Sequence, residues 1–151
     1  MITIEVKSDP VDAALAQLGR AVSDLTPAFD TIGDGLLRYV RDGFESGADP
    51  FGHPWKPLKN PSPKRRAGKP LVDTGALMRS FVRQSGTRDL VIGTNSVYAA
   101  IHQFGGMAGR NRATPIPARP TLPTETLPAD WEQEIVSVVQ RYLVAAMEGH
   151  P

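Results

Sequence analysis

Three histidines, His53, His102 and His150, and the tripeptide Asp73-Thr74-Gly75 are the residues of this 151-residue chain with the strongest claim to chemistry. A metal site on a helix needs two ligands three or four residues apart, so that both project from one face. None of the three histidines is followed at that distance by a second His, Asp or Glu. The Asp-Thr-Gly sequence occurs where two aspartic acids share a proton for peptide hydrolysis. Here it lies between Leu71-Val72 and a helix-like Ala-Leu-Met-Arg-Ser, a setting in which Asp73 or Thr74 caps a helix instead. A hydrolase built on Asp73 and His102 would require the two side chains within hydrogen-bond reach. The chain has no Gly-x-Ser-x-Gly elbow, phosphate loop, dinucleotide fingerprint or zinc-finger spacing. It has no cysteine, which removes disulfides, thiol nucleophiles and thiolate metal sites and suits a reducing cytoplasm. No catalytic, cofactor-binding or metal-binding residue is assigned, and no cofactor is expected.

The elements that would carry these residues follow from periodicity. Ile2, Ile4 and Val6 alternate with polar residues as in a half-buried strand. Asp9-Pro10 reads as a helix start, and Val11, Leu15, Leu18, Val22 and Leu25 form one narrow apolar seam behind it. Thr26-Pro27 repeats the start signal, and Phe29, Ile32, Leu36, Val40 and Phe44 predict a second helix over 27–46, ended by Gly47. Gly33, Gly35 and Gly43 lower its propensity but permit close packing. After a short helix capped by Asp73 or Thr74 and carrying Ala76, Leu77 and Ser80, Ser80–Gly86 and Asp89–Thr94 read as a hairpin. Asn95 or Ser96 then caps a short helix whose face Val97, Ala100, Ile101 and Phe104 is expected to be buried, with Gly105 as its left-handed stop. Trp131, Ile135, Val138, Tyr142 and Ala145 share a stripe of a C-terminal helix over 127–148. The class is α+β: a small antiparallel or mixed sheet against long amphipathic helices, in a single domain over 1–151.

Two irregular segments stand out. Residues 47–70 hold six prolines and six Lys or Arg, which excludes a regular helix or a central strand. This predicts a long loop or arm over 49–70, pinned by Phe51, Trp55 and Leu58 and mobile over 60–70. Residues 105–123 read as an extended basic arm. Charge is segregated: residues 1–51 carry four basic and nine acidic groups, 52–120 twelve and two, and 121–151 one and five. Such a pattern favours head-to-tail self-association or an acidic partner. No run approaches the ~20 apolar residues of a membrane helix, and the N-terminus lacks the apolar core of a signal peptide. A soluble protein without membrane contact is expected.

Four segments, DPFGHPWKPL (49–58), LVDTGALMRSF (71–81), VIGTNSVYAAIHQFGG (91–106) and IPARPTL (116–122), resemble in order the blocks of the Mu-like phage virion morphogenesis proteins, also described as tail completion proteins. Thr121 stands where an aromatic residue is usual. The resemblance implies a structural phage protein for tail completion or head–tail joining, a tail terminator or neck subunit at the head-proximal end of the tail. It implies a ring homo-oligomer, commonly a hexamer, bound to tail-tube, sheath or connector proteins, assembled in the bacterial host cytoplasm and placed in the virion. The block residues Trp55, Leu58, Thr74, Gly75, Leu77, Tyr98, His102 and Gly105 are expected to be structural. Leu71, Leu77, Val91, Ile92, Tyr98, Ile101 and Phe104 are expected in the core. His102 is expected to hold a fixed polar contact to backbone or to a neighbouring subunit near the Gly105 turn.

The interface candidates are Lys64, Arg65, Arg66 and Lys69, which would meet an acidic ring partner or DNA in the lumen, with Arg110, Arg112 and Arg119. Arg119 lies between Pro117 and Pro120, where a stiff backbone presents its planar fork at little entropic cost; an internal salt bridge is its other expected role. The competing function is a small DNA-binding accessory protein using the basic 56–69 arm, which predicts salt-dependent DNA affinity.

Overall fold

The computed structural model describes residues 9–59 and 69–149. The expected strand at residues 2–6, His150, and the basic residues Lys64, Arg65 and Arg66 lie outside them. Helix α1 spans Asp9–Ser23 and α2 spans Thr26–Ser46. A four-residue helix α3, Ala76–Arg79, precedes strands β1, Phe81–Ser85, and β2, Leu90–Thr94. Helix α4, Ala99–Phe104, leads into β3, Gly106–Ala108, a 3-10 turn at Arg110–Arg112, and β4, Thr114–Ile116. Helix α5, Ala129–Met147, closes the described chain. The strands form two separate antiparallel pairs, β1 with β2 and β3 with β4. The fold class is therefore α+β, with two small sheets where one was expected.

The long α2 is the spine. Its apolar repeat Ile32, Leu36, Val40 and Phe44 is buried, as the 3.6-residue period requires, and gathers Trp55, Phe81, Trp131 and Val138 around it. Phe44 meets Trp55 edge to face with ring centroids 5.5 Å apart, and Tyr39 stacks on Trp131 at 5.8 Å. Gly33 lets the hairpin approach: a Cβ there would run into the Arg83 side chain. Arg83 on β1 then reaches two carboxylates one helical turn apart on α2, Asp30 and Asp34. The helix ends where predicted, at Gly47 with φ 72°, whose N–H returns to Gly43 O at 2.8 Å. Its start differs from the expectation. Thr26 is already helical, and the Asp24 carboxylate accepts the Thr26 N–H at 3.0 Å, so the capping oxygen comes from two residues earlier.

Other expectations are corrected. Thr74 Oγ1 accepts the Ala76 N–H, but Gly75, at φ 73°, holds the cap position of α3. Neither Asn95 nor Ser96 caps α4 by its side chain; the Ser96 carbonyl takes the Ala99 N–H instead. Phe51 is exposed, so of the three expected apolar anchors only Trp55 and half-buried Leu58 turn toward the chain. The 105–123 arm is not extended throughout, since β3 and β4 fold it into a short ribbon. Leu71, Leu77 and Ile92 pack against the core, whereas Val91, Tyr98 and Phe104 are exposed and half-buried Ile101 lies outside the core cluster.

Gly105 has φ 74° but ψ −179°, so it is an extended mirror-image turn and not a left-handed helix stop. A Cβ there would stand 2.9 Å from Ala118 N and 3.0 Å from Ile116 O, both backbone atoms. Gly105→Ala is expected to cost about 1–3 kcal/mol in thermal or urea unfolding.

Candidate functional site

Three of the four sequence blocks, far apart in the chain, converge on one knot of hydrogen bonds, and the second bonds to the third beside it. Trp55 Nε1 donates to Pro120 O at 2.8 Å. Arg119 Nε donates to Lys56 O at 2.8 Å and its Nη2 to Pro57 O at 3.2 Å. The Arg119 backbone N–H donates to His102 O at 2.6 Å. The second block joins through Ser80, whose hydroxyl lies 2.6 Å from that of Thr94. The bonds of Trp55 and Arg119 satisfy carbonyls and an amide of the proline-rich 56–57 and 119–120 segments outside the ladders.

Arg119 is 6% exposed, inside the chain, and its guanidinium is held by two carbonyls. It makes neither of the contacts expected from sequence, an exposed interface fork or an ion pair with an acidic helix. Burial lowers its pKa from the usual arginine value.

Gln103 is the residue the sequence reading missed. Its Oε1 accepts from the N–H and hydroxyl of Thr121 and from the Leu122 N–H, and its Nε2 donates to Leu122 O at 2.7 Å. Thr121 thus contributes both its backbone N–H and its hydroxyl to Gln103. The available signal was the polar side of α4. Helix α4 is inverted: His102 and Gln103 turn toward the chain, while Val97, Tyr98 and Phe104 are 83%, 67% and 71% exposed.

Beside the knot lies a cavity of about 420 Å³ lined by Leu58, Lys69, Leu71, Asp73, Thr74, Tyr98, His102 and Arg119, among others. Asp73 and His102 share it, but His102 Nδ1 is buried without a hydrogen-bond partner among the described residues. Among the described residues no carboxylate is bonded to the imidazole to orient it, as general-base catalysis would need. The fixed polar contact of His102 is made by its backbone carbonyl, not its ring.

Burial, and after it the Arg119 charge, holds the imidazole below its ordinary value. Between that lowered folded value and about 6.5 in the unfolded chain, the unfolded state binds more protons, so stability rises with pH and is lost as pH falls. His102→Gln is expected to flatten the loss of stability between about pH 7 and pH 5, read from urea midpoints at each pH.

His53 has a partner four residues before it. Asp49 Oδ1 accepts the N–H groups of Phe51 and His53, each at 2.9 Å, and Oδ2 lies 3.0 Å from His53 Nδ1. Burial pushes the Asp49 carboxyl up, but the donors from His53 and Phe51 outweigh it and hold it below the usual carboxylate value. The pair closes a turn that aims Trp55 at the core. No group of three His, Cys, Asp or Glu among the described residues could hold a metal ion, and no described helix is long and apolar enough to cross a membrane.

The described residues thus form an α+β unit whose proline-rich blocks are tied to one another and to the core on α2. The model of the phage virion morphogenesis family matches residues 6–144, and the chain belongs to that family. It is 39% identical over 143 residues to the Mu-like prophage FluMu G protein 2 of Haemophilus influenzae, covering 94% of this chain and 96% of that one. It is 30% identical over 145 residues to protein G of Escherichia phage Mu, a protein named for capsid assembly, covering 91% of this chain and 90% of that one. No solved structure matches.

Proposed function

We propose that the chain is a ring-forming structural subunit that completes the phage tail or joins it to the head, acting on tail-tube, sheath or connector proteins at the head-proximal end. The observation that carries this reading is the outward apolar face of α4, together with that of α1. Among the described residues, fourteen large hydrophobic side chains are exposed against ten hydrophobic residues in the core. Val11, Leu15 and Val22 repeat at helical spacing on α1, and Val97, just before α4, and Phe104, at its end, are seven residues apart; among the described residues all five stay more than half exposed. Regular apolar stripes of this kind mark contact surfaces.

The family supports a role among the structural proteins of the particle, and the name of the phage Mu relative points the same way. The resemblance of the four blocks to tail completion proteins supports the tail or neck as the place. Segregated charge suits heterologous contacts, which close into a ring when the rotation per subunit allows. The test is the protein composition of purified particles by mass spectrometry. The chain is expected in them, in a small fixed number per particle set by the ring. Its absence from intact particles and from isolated tails would count against the reading.

A further inference from the structure

We propose that the basic ribbon formed by β3 and β4 of one subunit inserts into the acidic, largely apolar groove between the 48–52 turn and the start of α5 on a second copy of the same chain. This rests on the ring reading and names the two surfaces that meet.

The ribbon stands clear of its own subunit. Residues 109–115 are exposed without exception. Three residue pairs, at about 3.3 Å per residue, carry the tip about 10 Å beyond Gly106 and Ile116. A two-stranded ribbon alone is marginally stable in water, so a projecting one gains from a surface to lie on. Met107 lies directly opposite Pro115, which puts both on one face, and both are exposed. The tip carries Arg110 and Arg112, and residues 90–124 contain no Asp or Glu. There Asn111 and Arg112 hold φ of 59° and 53°, a left-handed backbone that costs energy for non-glycine residues and is kept where a particular shape is needed.

The groove has the opposite character. About 690 Å³ of space opens among α2, the 48–52 turn and the start of α5. Trp131, with Tyr39 stacked on it, is its buried part, and Phe51 and Leu127, 49% and 41% exposed, are its open apolar residues. Its charged lining is Asp42, Asp49 and Asp130, with no Lys or Arg. Burial, and after it the charges of Glu134, Asp130 and Asp42 against the opposing Arg38, pushes the Tyr39 hydroxyl above its ordinary value, so the field at this wall is negative on balance. No residue of 99–118 lines the groove, so the chain's own ribbon does not fill it.

Two grooves face to face would set aspartate against aspartate, and two ribbons would set arginine against arginine. Ribbon in groove sets Arg110 and Arg112 against the aspartates, and Met107 and Pro115 against the apolar lining. Every subunit carries one ribbon and one groove, so each addition leaves one of each free until the ring closes.

A charge swap tests the pairing. Arg110→Glu with Arg112→Glu is expected to weaken self-association about tenfold at low salt and less at high salt, read by sedimentation velocity. Asp42→Lys with Asp130→Lys, on the other surface, is expected to do the same; Asp49 stays, because it holds the turn to His53. All four substitutions in one chain are expected to recover association to within about threefold of the parent, since the pairs couple. The chain has no cysteine, which allows a second measurement. Ser46→Cys in the groove and Ala113→Cys at the tip, both exposed, are purified separately, mixed, and treated with a short bis-maleimide. Peptides joining position 46 to position 113 are expected to dominate over 46–46 and 113–113.

No recovery in the fourfold variant would overturn the pairing, as would like-to-like links as the main product, no cross-link, or a chain monomeric at all concentrations. So would a ribbon variant that loses affinity for duplex DNA while associating normally, which would give the two arginines to nucleic acid. Oligomers of unchanged size that withstand both charge reversals sink the pairing and keep the ring reading. A chain missing from purified particles sinks the virion reading, while the swap still decides the pairing.

Discussion

Trp55→Ala is expected to destabilise the chain by about 3–5 kcal/mol, the cost of deleting a buried aromatic side chain. Trp55 is 7% exposed, packs edge to face on Phe44, and reaches across 65 residues to Pro120 O. The loss falls on two places at once. A void opens against Phe44 at the end of α2, and the Pro120 carbonyl is left without its donor. Trp55→Phe separates the two, since the ring would still fill part of the space while the bond is gone; a loss of about 1–3 kcal/mol is expected. Urea unfolding followed by circular dichroism measures both. A Trp55→Ala protein within about 1 kcal/mol of the parent would show that the 47–58 loop is not anchored to the core.

Arg119→Met is expected to cost about 2–4 kcal/mol, the second of the large effects. Each hydrogen bond from a charged donor contributes about 1.5–3 kcal/mol, and relief of burying the guanidinium offsets part of the two. The lysine variant discriminates more sharply. A compact ammonium lacks the planar fork that reaches Lys56 O and Pro57 O together, so Arg119→Lys is expected to recover less than half of the loss. Full recovery would mean that charge, not geometry, matters at this position. Trp55 and Arg119 join the same two segments, so the double variant should lose less than the sum of the singles.

The parts of the fold that could be read from sequence are those in which local pattern and tertiary packing agree. Helix α2 is such a case: Ile32, Leu36, Val40 and Phe44 repeat at helical spacing, and the Gly47 stop falls where the chain turns. The β1–β2 hairpin is another, with Ser85 opposite Leu90 around the turn. Helix α4 is the opposite case. Its apolar face predicts burial, yet the structure turns Val97 and Phe104 outward, because Gln103 and the His102 carbonyl are needed to satisfy the backbone of 119–122. A sequence carries no mark that says whether an apolar stripe is covered by its own chain or by another copy.

Arg119 was out of reach for a related reason. A basic residue among prolines looks exposed until the carbonyls of Lys56 and Pro57, 63 and 62 residues away, are seen to lie against it. The four blocks were legible as a family resemblance, but their mutual bonding was not, since spacing along the chain says nothing of which carbonyl lacks a donor. The Asp49–His53 pair was readable in principle, from a carboxylate four residues before a histidine.

The structure divides the labour of the chain. The blocks hold the proline-rich segments to α2, while Val11, Leu15 and Val22 of α1 and Phe104 of α4 stay exposed among the described residues, a surface that the proposed ring would use. Electron microscopy of lysates from a phage carrying this gene, with the gene deleted, tests that account most directly. The account predicts filled heads beside separate tails whose head-proximal ends are unfinished, with joined particles restored when purified protein is added. Normal tails accompanied by missing or malformed heads would contradict it and assign the chain to the capsid.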